Sequence, residues 1–380
     1  MDGNEDWRGM RQINSPAFTK AKLEKMTPLI HLAIDRVIRR IDSKLIYSNV
    51  LELRGLFSKY SFELVNNTLF GVELEDEQLK IIFDEILNLP TKPSIWHTLA
   101  ITCPQIISVA TPVILQYYLR FTNIFDKFVL SCIYGEQNNG NTVLDFMKEL
   151  KNETDNDSRK TKIDDNVICQ QLLTYSLATY ETVAYNTSLI LYTFSLHQDI
   201  QEKCYEEVTE IDKKYKGIVS WDSISEMKYF DMVFDEILRM NAGNHVIERK
   251  CTVLKYRFPG TNLVIDKNVF VFFSTHGLNY DPKYFSNPEA FNPDRFSPEN
   301  KANITPCVYL PFGEGPRNCI GKRYAKFTIM TTIFCLLRKY RMLPCEKTEK
   351  LQIDPSMLLA SRALGGIFAA LEPRNTYIRS

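Results

Sequence analysis

Ten residues late in the chain constrain it more than any other feature: Phe312-Gly313-Glu314-Gly315-Pro316-Arg317-Asn318-Cys319-Ile320-Gly321. The pattern F-G-x-G-x-R-x-C-x-G fixes six positions. At about one in twenty each, it arises by chance in on the order of one in 10⁵ chains of this length, so it demands a chemical reason. Gly313 and Gly315 let a loop turn tightly where a side chain would collide with a flat ligand. Cys319 stands just ahead of a helix, so the N–H groups and the positive helix end favour thiolate over thiol. Arg317 can aim a planar donor fork at a carboxylate, and Gly321 allows close approach of backbone and ligand. Zinc does not fit, because no second Cys or His lies at ligand spacing and Cys307 stands alone. A nucleophilic cysteine would need a histidine base, which the five histidines leave open.

The rest of the chain must supply the walls of such a site. With 380 residues, 44% of them hydrophobic, it can bury a large core. Lys plus Arg equals Asp plus Glu at 46 each, so no global field points to nucleic acid. Nine cysteines without a CxxC pair fit reduced thiols better than a disulfide framework. The opening MDGNEDWRGMRQ is charged from its second residue and reads as neither signal peptide nor anchor. Residues Pro93 to Leu119 carry no Lys, Arg, Asp or Glu, but Pro104 and Pro112 break them into two short apolar helices. These are core helices or a surface that dips into a membrane.

Helical periodicity dominates up to about Ala242, with helices expected over Phe57–Thr68, Asp76–Leu89, Thr111–Tyr134 and Asp165–Leu196. The last opens on the acidic Asp164 and Asp165, as a helix start prefers. Polar stretches over 137–141 and 152–164 read as solvated loops. Beyond Ala242, Thr252–Tyr256, Leu263–Asp266 and Val269–Ser274 read as short strands. A Pro-rich aromatic meander follows over Asp281–Phe296, then the glycine-rich turn, a helix over Gly321–Tyr340 and a strand-like tail. The expectation is one mainly α domain over residues 1–380 with a small β portion.

Together these residues resemble the cytochrome P450 family of haem-thiolate monooxygenases, and its animal microsomal members most closely. The resemblance implies the P450 fold, haem b as cofactor, Cys319 as proximal iron ligand, Phe312 beside the sulfur, and Arg317 on a haem propionate. Four more segments agree in order. Trp7 and Arg11 match the family's WxxxR, whose residues serve a propionate, and Ser15-Pro-Ala-Phe18 continues the likeness. Ala178-Thr-Tyr-Glu-Thr182 resembles the distal AGxxT segment, which implies that Ala178 lies over haem and that Glu181 and Thr182 relay protons. Glu236 and Arg239 match ExxR, joined by Arg295 of the meander as a buried charged set that supports the haem loop. Arg249 matches a further propionate-binding arginine.

The same resemblance implies that O2 and a lipophilic small molecule are the substrates. Electrons would come from an NADPH-dependent flavoprotein reductase docking on the basic face of Lys322, Arg323 and Lys326. The expected location is the cytosolic face of the endoplasmic reticulum membrane, with peripheral contact through 93–119. The family's amino-terminal portion, with its anchor, proline hinge, part of the sheet and a substrate-enclosing loop, is not matched ahead of Trp7, so a truncated chain is expected. Thr179 stands where the family has glycine and would crowd dioxygen or stiffen the helix. Three other readings compete: a haem-binding chain without turnover, a haem-thiolate isomerase that needs no reductase, and a non-haem interaction protein with an accidental motif.

Overall fold

The computed structural model describes residues 5–73, 122–135, 140–155, 163–241, 245–348, 350–353 and 363–374. The helices expected over Asp76–Leu89 and over Pro93–Leu119, with its membrane contact, lie outside the described residues.

Helices come first and ribbons later, and the architecture is mainly α. The longer helices are α1 (Glu5–Asn14), α2 (Lys20–Leu45), α3 (Leu53–Val65), α4 (residues 122–134), α5 (Val143–Asp155), α6 (Asp165–Leu196), α7 (Gln198–Lys214), α8 (Lys228–Met240) and α9 (Lys322–Lys339). Local chemistry sets their ends. The Asp164 carboxylate accepts from Val167 N–H at 2.9 Å and caps α6, and Glu52 caps α3 by accepting from the N–H groups of Arg54 and Gly55. α3 runs into a π turn over Asn66–Phe70 that Gly71 ends in the left-handed region, at φ 70°.

α6 is the axis of the molecule. From Val183 to Ser195 every side chain is buried, the polar Asn186, Thr187, Ser188, Thr193 and Ser195 included, so this part of the helix has no solvent face. α2 instead offers one stripe, Leu23, Met26, Ile30, Ala33/Ile34, Val37 and Ile41, at 3–4-residue spacing. α3 packs lengthwise on α6, while α9 contacts α2, α6 and α7.

The β portion is small. The strands are β1 (Val50–Glu52), β2 (Val246–Lys250), β3 (Lys255–Arg257), β4 (Val264–Asp266), β5 (Phe270–Ser274), β6 (Tyr340–Leu343), β7 (Gln352–Ile353), β8 (Ala363–Leu364) and β9 (Phe368–Pro373). All the described pairings are antiparallel: a β1-β9-β6 sheet and the ribbons β2-β5, β3-β4 and β7-β8. In β2-β5, Arg249 faces Val271 and Ile247 faces Phe273.

Two expectations need correction. The strand placed at Thr252–Tyr256 is two strands displaced: β2 ends at Lys250, Cys251 to Leu254 form the turn, and β3 begins at Lys255. The exposed Glu248-Arg249-Lys250 run hides β2 from any apolar pattern. The polar stretch expected to loop from 152 is helical through Asp155, as a polar continuation of α5, whose buried residues Val143, Leu144, Phe146 and Met147 lie in its first two turns.

Candidate active site

The glycine-rich segment is a pair of nested turns. Gly313 N–H donates to the Leu310 carbonyl at 3.1 Å, Asn318 N–H to the Gly315 carbonyl at 3.0 Å, and Cys319 N–H to the Phe312 carbonyl at 2.8 Å. Gly313 and Gly315 sit at φ 67° and 79°, where an L side chain is strained. A Cβ on Gly315 would meet nothing within 4 Å and one on Gly313 only Asn318 Cα at 3.8 Å. Backbone conformation therefore requires these glycines within the protein itself. Gly321 begins α9, and a Cβ there would lie 4.0 Å from the Cys319 sulfur.

The helix α8, to which Tyr309 and Lys326 tie this part of the chain, carries a buried charged set. Arg239 and Glu236 are both fully buried on α8. Arg239 Nε and Nη2 donate to the two Glu236 oxygens at 2.7 and 2.9 Å, and its other bonds reach the Asn279 and Pro288 carbonyls, each at 2.8 Å. Arg295 Nε joins at 3.3 Å, and Asn292 N–H donates to Glu236 Oε1 at 2.9 Å. The Tyr309 hydroxyl, donating to the Asp235 carbonyl at 2.9 Å, moors the segment entering the turns. Burial pushes that phenol well above its usual pKa, so it stays a donor.

α1 closes the other side. Arg11 Nη1 donates to the Asn318 carbonyl at 2.8 Å and Nη2 to Asn318 Oδ1 at 2.7 Å, so Arg11 grips the residue preceding the cysteine. The Arg317 guanidinium lies over the Trp7 ring, 4.1 Å from its centroid. Trp7, Arg11, Phe312, Arg317, Cys319 and Gly321 thus form one cluster. Arg249 lies on β2, where its Nη1 donates to the carbonyl of its neighbour Glu248 at 2.8 Å.

Cys319 is exposed as a residue, while protein atoms surround its sulfur on most sides, as at the wall of a concavity. The expectation of a favoured thiolate needs correction. Desolvation raises the thiol pKa above its usual value, outweighing the Gly321 N–H and the Arg11 and Lys322 cations, all of which lower it. The polarity of the surroundings is as expected, and a cationic partner in front of the sulfur would favour the thiolate.

The donor set decides what that partner can be. A bare Zn2+ wants three or four protein ligands. Among the described residues no group of three or more His, Cys, Asp or Glu could hold a metal ion. One sulfur, with arginines and an aromatic ring nearby, suits an iron that brings its own planar ligand and carboxylates. The residues present fit a haem.

On α6, Gln170, Thr174, Ala178 and Thr182 are exposed at four-residue spacing, an open stripe that ends where complete burial begins. Ala178 and Thr182 belong to this stripe. Thr182 Oγ1 donates back to the Ala178 carbonyl at 2.6 Å, a common habit of helical threonines. α6 continues as regular helix across Thr179. Glu181 lies off the stripe, ion-paired with Arg54 of α3. Arg54 escaped the sequence reading; its only signal was a lone cation near the start of a largely apolar helix.

A cleft of about 620 Å³ lies beside Cys319, bordered by Arg11, Trp221, Lys228, Lys322, Arg323 and Lys326. No α6 residue lines it, so it is not the space in front of the open stripe. Lys326 is ion-paired with Asp231, and the Lys322 amine stands 5.6 Å from the Phe312 ring centroid.

Comparison with known proteins agrees with this geometry. A family model described as Cytochrome P450 matches residues 1–368. The chain is 34% identical to Cytochrome P450 6B7 of Helicoverpa armigera over 385 residues, covering 97% of this chain and 75% of that protein. It is 32% identical to Cytochrome P450 6B1 of Papilio polyxenes, covering 98% and 76%. It is 30% identical to Lithocholate 6-beta-hydroxylase of Mesocricetus auratus, covering 91% and 70%.

Proposed function

The chain belongs to the cytochrome P450 family, and from that premise we propose how its own residues serve the haem-dependent monooxygenase chemistry of that family. The cofactor is proposed to be haem b, held within a single haem domain over 1–380, with the Cys319 sulfur as the iron's protein ligand. The carrying observation is the setting of one cysteine: nested glycine turns close on Cys319, the Gly321 N–H approaches its sulfur, and Arg11 grips the residue before it. When bound, the group supplies reductive activation of O2, so that one oxygen atom enters the substrate and the other leaves as water.

The remaining work falls to side chains. Gly321 N–H and the nearby Arg11 and Lys322 would favour negative charge on the sulfur against the desolvation that opposes it. Arg11 has donors left after gripping Asn318, and with Trp7, Arg317 and Arg249 it would take the propionates. Phe312 is the residue that the resemblance puts beside the sulfur. Ala178 makes room on the open stripe, and Thr182 can release its back-bond to pass a proton from its hydroxyl toward the oxygen side. The resemblance implies a relay role for Glu181 as well, but its ion pair with Arg54 holds the carboxylate off the open stripe.

The substrate would be a lipophilic small molecule. One similar protein is named Lithocholate 6-beta-hydroxylase. The cations bordering the cleft beside Cys319 suit an acidic NADPH-dependent flavoprotein reductase. Placement on the cytosolic face of the endoplasmic reticulum membrane, with contact through 93–119, rests on the resemblance. Among the described residues no helix is long and apolar enough to cross a membrane.

The test is turnover under isotopically labelled O2 with reconstituted reductase and NADPH. One labelled oxygen atom per product molecule is expected. Product formed without any electron donor would overturn the reading in favour of an isomerase, and haem uptake without product in favour of an inert haem protein.

A further inference from the structure

α3 lies along the back of α6, and two of its side chains reach the segment that carries Thr182. The Arg54 guanidinium is ion-paired with the Glu181 carboxylate and also stands 5.9 Å from the centroid of Tyr185, one turn further along α6. Both charged side chains are largely buried, at 21% and 24% exposure. Seven residues after Arg54, and so on the same face of α3, the Ser61 hydroxyl donates to the Tyr180 carbonyl at 2.8 Å and approaches the Thr179 carbonyl at 3.4 Å. Thr182 meanwhile faces the open stripe.

Adjacent helical residues diverge by about 100°, so Glu181 and Thr182 cannot serve the same side without rearrangement. For the Glu181 carboxylate to reach the open stripe, it must leave a cation held in a half-buried site. Ser61 does for the backbone what Arg54 does for the side chain: it supplies an extra donor to carbonyls in a segment where Thr182 also draws on the Ala178 and Thr179 carbonyls.

We propose that Arg54 and Ser61 are positioning residues that brace residues 179–182 of α6 from behind, and that Glu181 is their anchor and not a proton carrier. This rests on the reading that the Thr182 side of α6 faces the oxygen site, and it departs from the relay role the family resemblance gives Glu181. α3 thereby sets the depth at which Thr182 stands, without touching substrate.

The test compares wild type, Arg54→Met, Arg54→Lys, Ser61→Ala, Glu181→Gln and the Arg54→Met/Glu181→Gln double variant, all haem-loaded. Amide hydrogen exchange over 179–184 is read first. Arg54→Met and Glu181→Gln should each speed exchange about ten-fold, as loss of a half-buried ion pair implies. The double variant should be no faster than either single one, Arg54→Lys should restore protection, and Ser61→Ala should give a smaller increase. Unchanged exchange in Arg54→Met, or additive effects in the double variant, would overturn the proposal. The share of NADPH electrons recovered in product is read second. Glu181→Gln and Arg54→Met should lower it equally. A collapse in Glu181→Gln with a normal Arg54→Met would make the carboxylate a carrier and end the proposal. Failure of the underlying functional reading would show separately, as absent turnover in wild type, while the exchange comparison would stand.

Discussion

Glu236→Gln isolates the buried charged set on α8. Glu236 accepts four hydrogen bonds, two from Arg239, one from Arg295 and one from Asn292 N–H. Arg239 is fully buried, so a neutral amide leaves a cation without its counter-charge. It also turns one acceptor into a donor facing other donors. Breaking a buried pair in this way costs about 3–5 kcal/mol. The entropy of unfolding scales with chain length, and for 380 residues this cost lowers Tm by about 4–6 °C. Scanning calorimetry at matched haem occupancy and scan rate measures it. The exposed bridge between Lys20 and Asp222 is the control, and Lys20→Met should leave the transition where it was. A Glu236→Gln protein that melts with wild type would refute the reasoning, because it would mean that the buried arginine is neutralised by something other than Glu236.

Three further outcomes follow from the same geometry. Gly315→Ala adds no clash, so it tests backbone strain alone: about 1–2 kcal/mol should be lost, read as a lower urea midpoint. Trp7→Ala removes the ring under Arg317, and haem should transfer to apomyoglobin several-fold faster, while an unchanged rate would mean the stack does not order Arg317. Burial holds the His31 pKa below its ordinary value. Stability is therefore complete above the unfolded pKa of about 6.5 and falls below it, as the unfolded chain takes the proton first. His31→Gln should flatten that acid-side fall in Tm, and an equally steep profile would remove His31 as a cause.

What could be read from the sequence follows the range of each interaction. α6 is bounded as read, Asp165–Leu196, because an acidic cap and a long apolar run are local signals. The cysteine loop and the Glu236–Arg239 pair were also legible, since three- to ten-residue spacings carry them. Arg295 was placed only through resemblance, and the structure brings it to Glu236 across 59 positions. The Arg54–Glu181 pair spans 127 positions, and nothing in either neighbourhood names the other. β2 was missed because its exposed charges break the alternation that marks a half-buried strand. The Cys319 thiol was misjudged for a related reason: the helix end is local, but the desolvation that outweighs it comes from the whole wall of the site.

The proposed function stands on a bond between the Cys319 sulfur and a haem iron. The reduced carbon monoxide difference spectrum of the haem-loaded chain, taken beside Cys319→Ser, reads that bond directly. A thiolate-type band in the wild type and its loss in the variant are the predicted result. A wild-type spectrum of histidine type, or a thiolate band that survives in Cys319→Ser, would contradict the account.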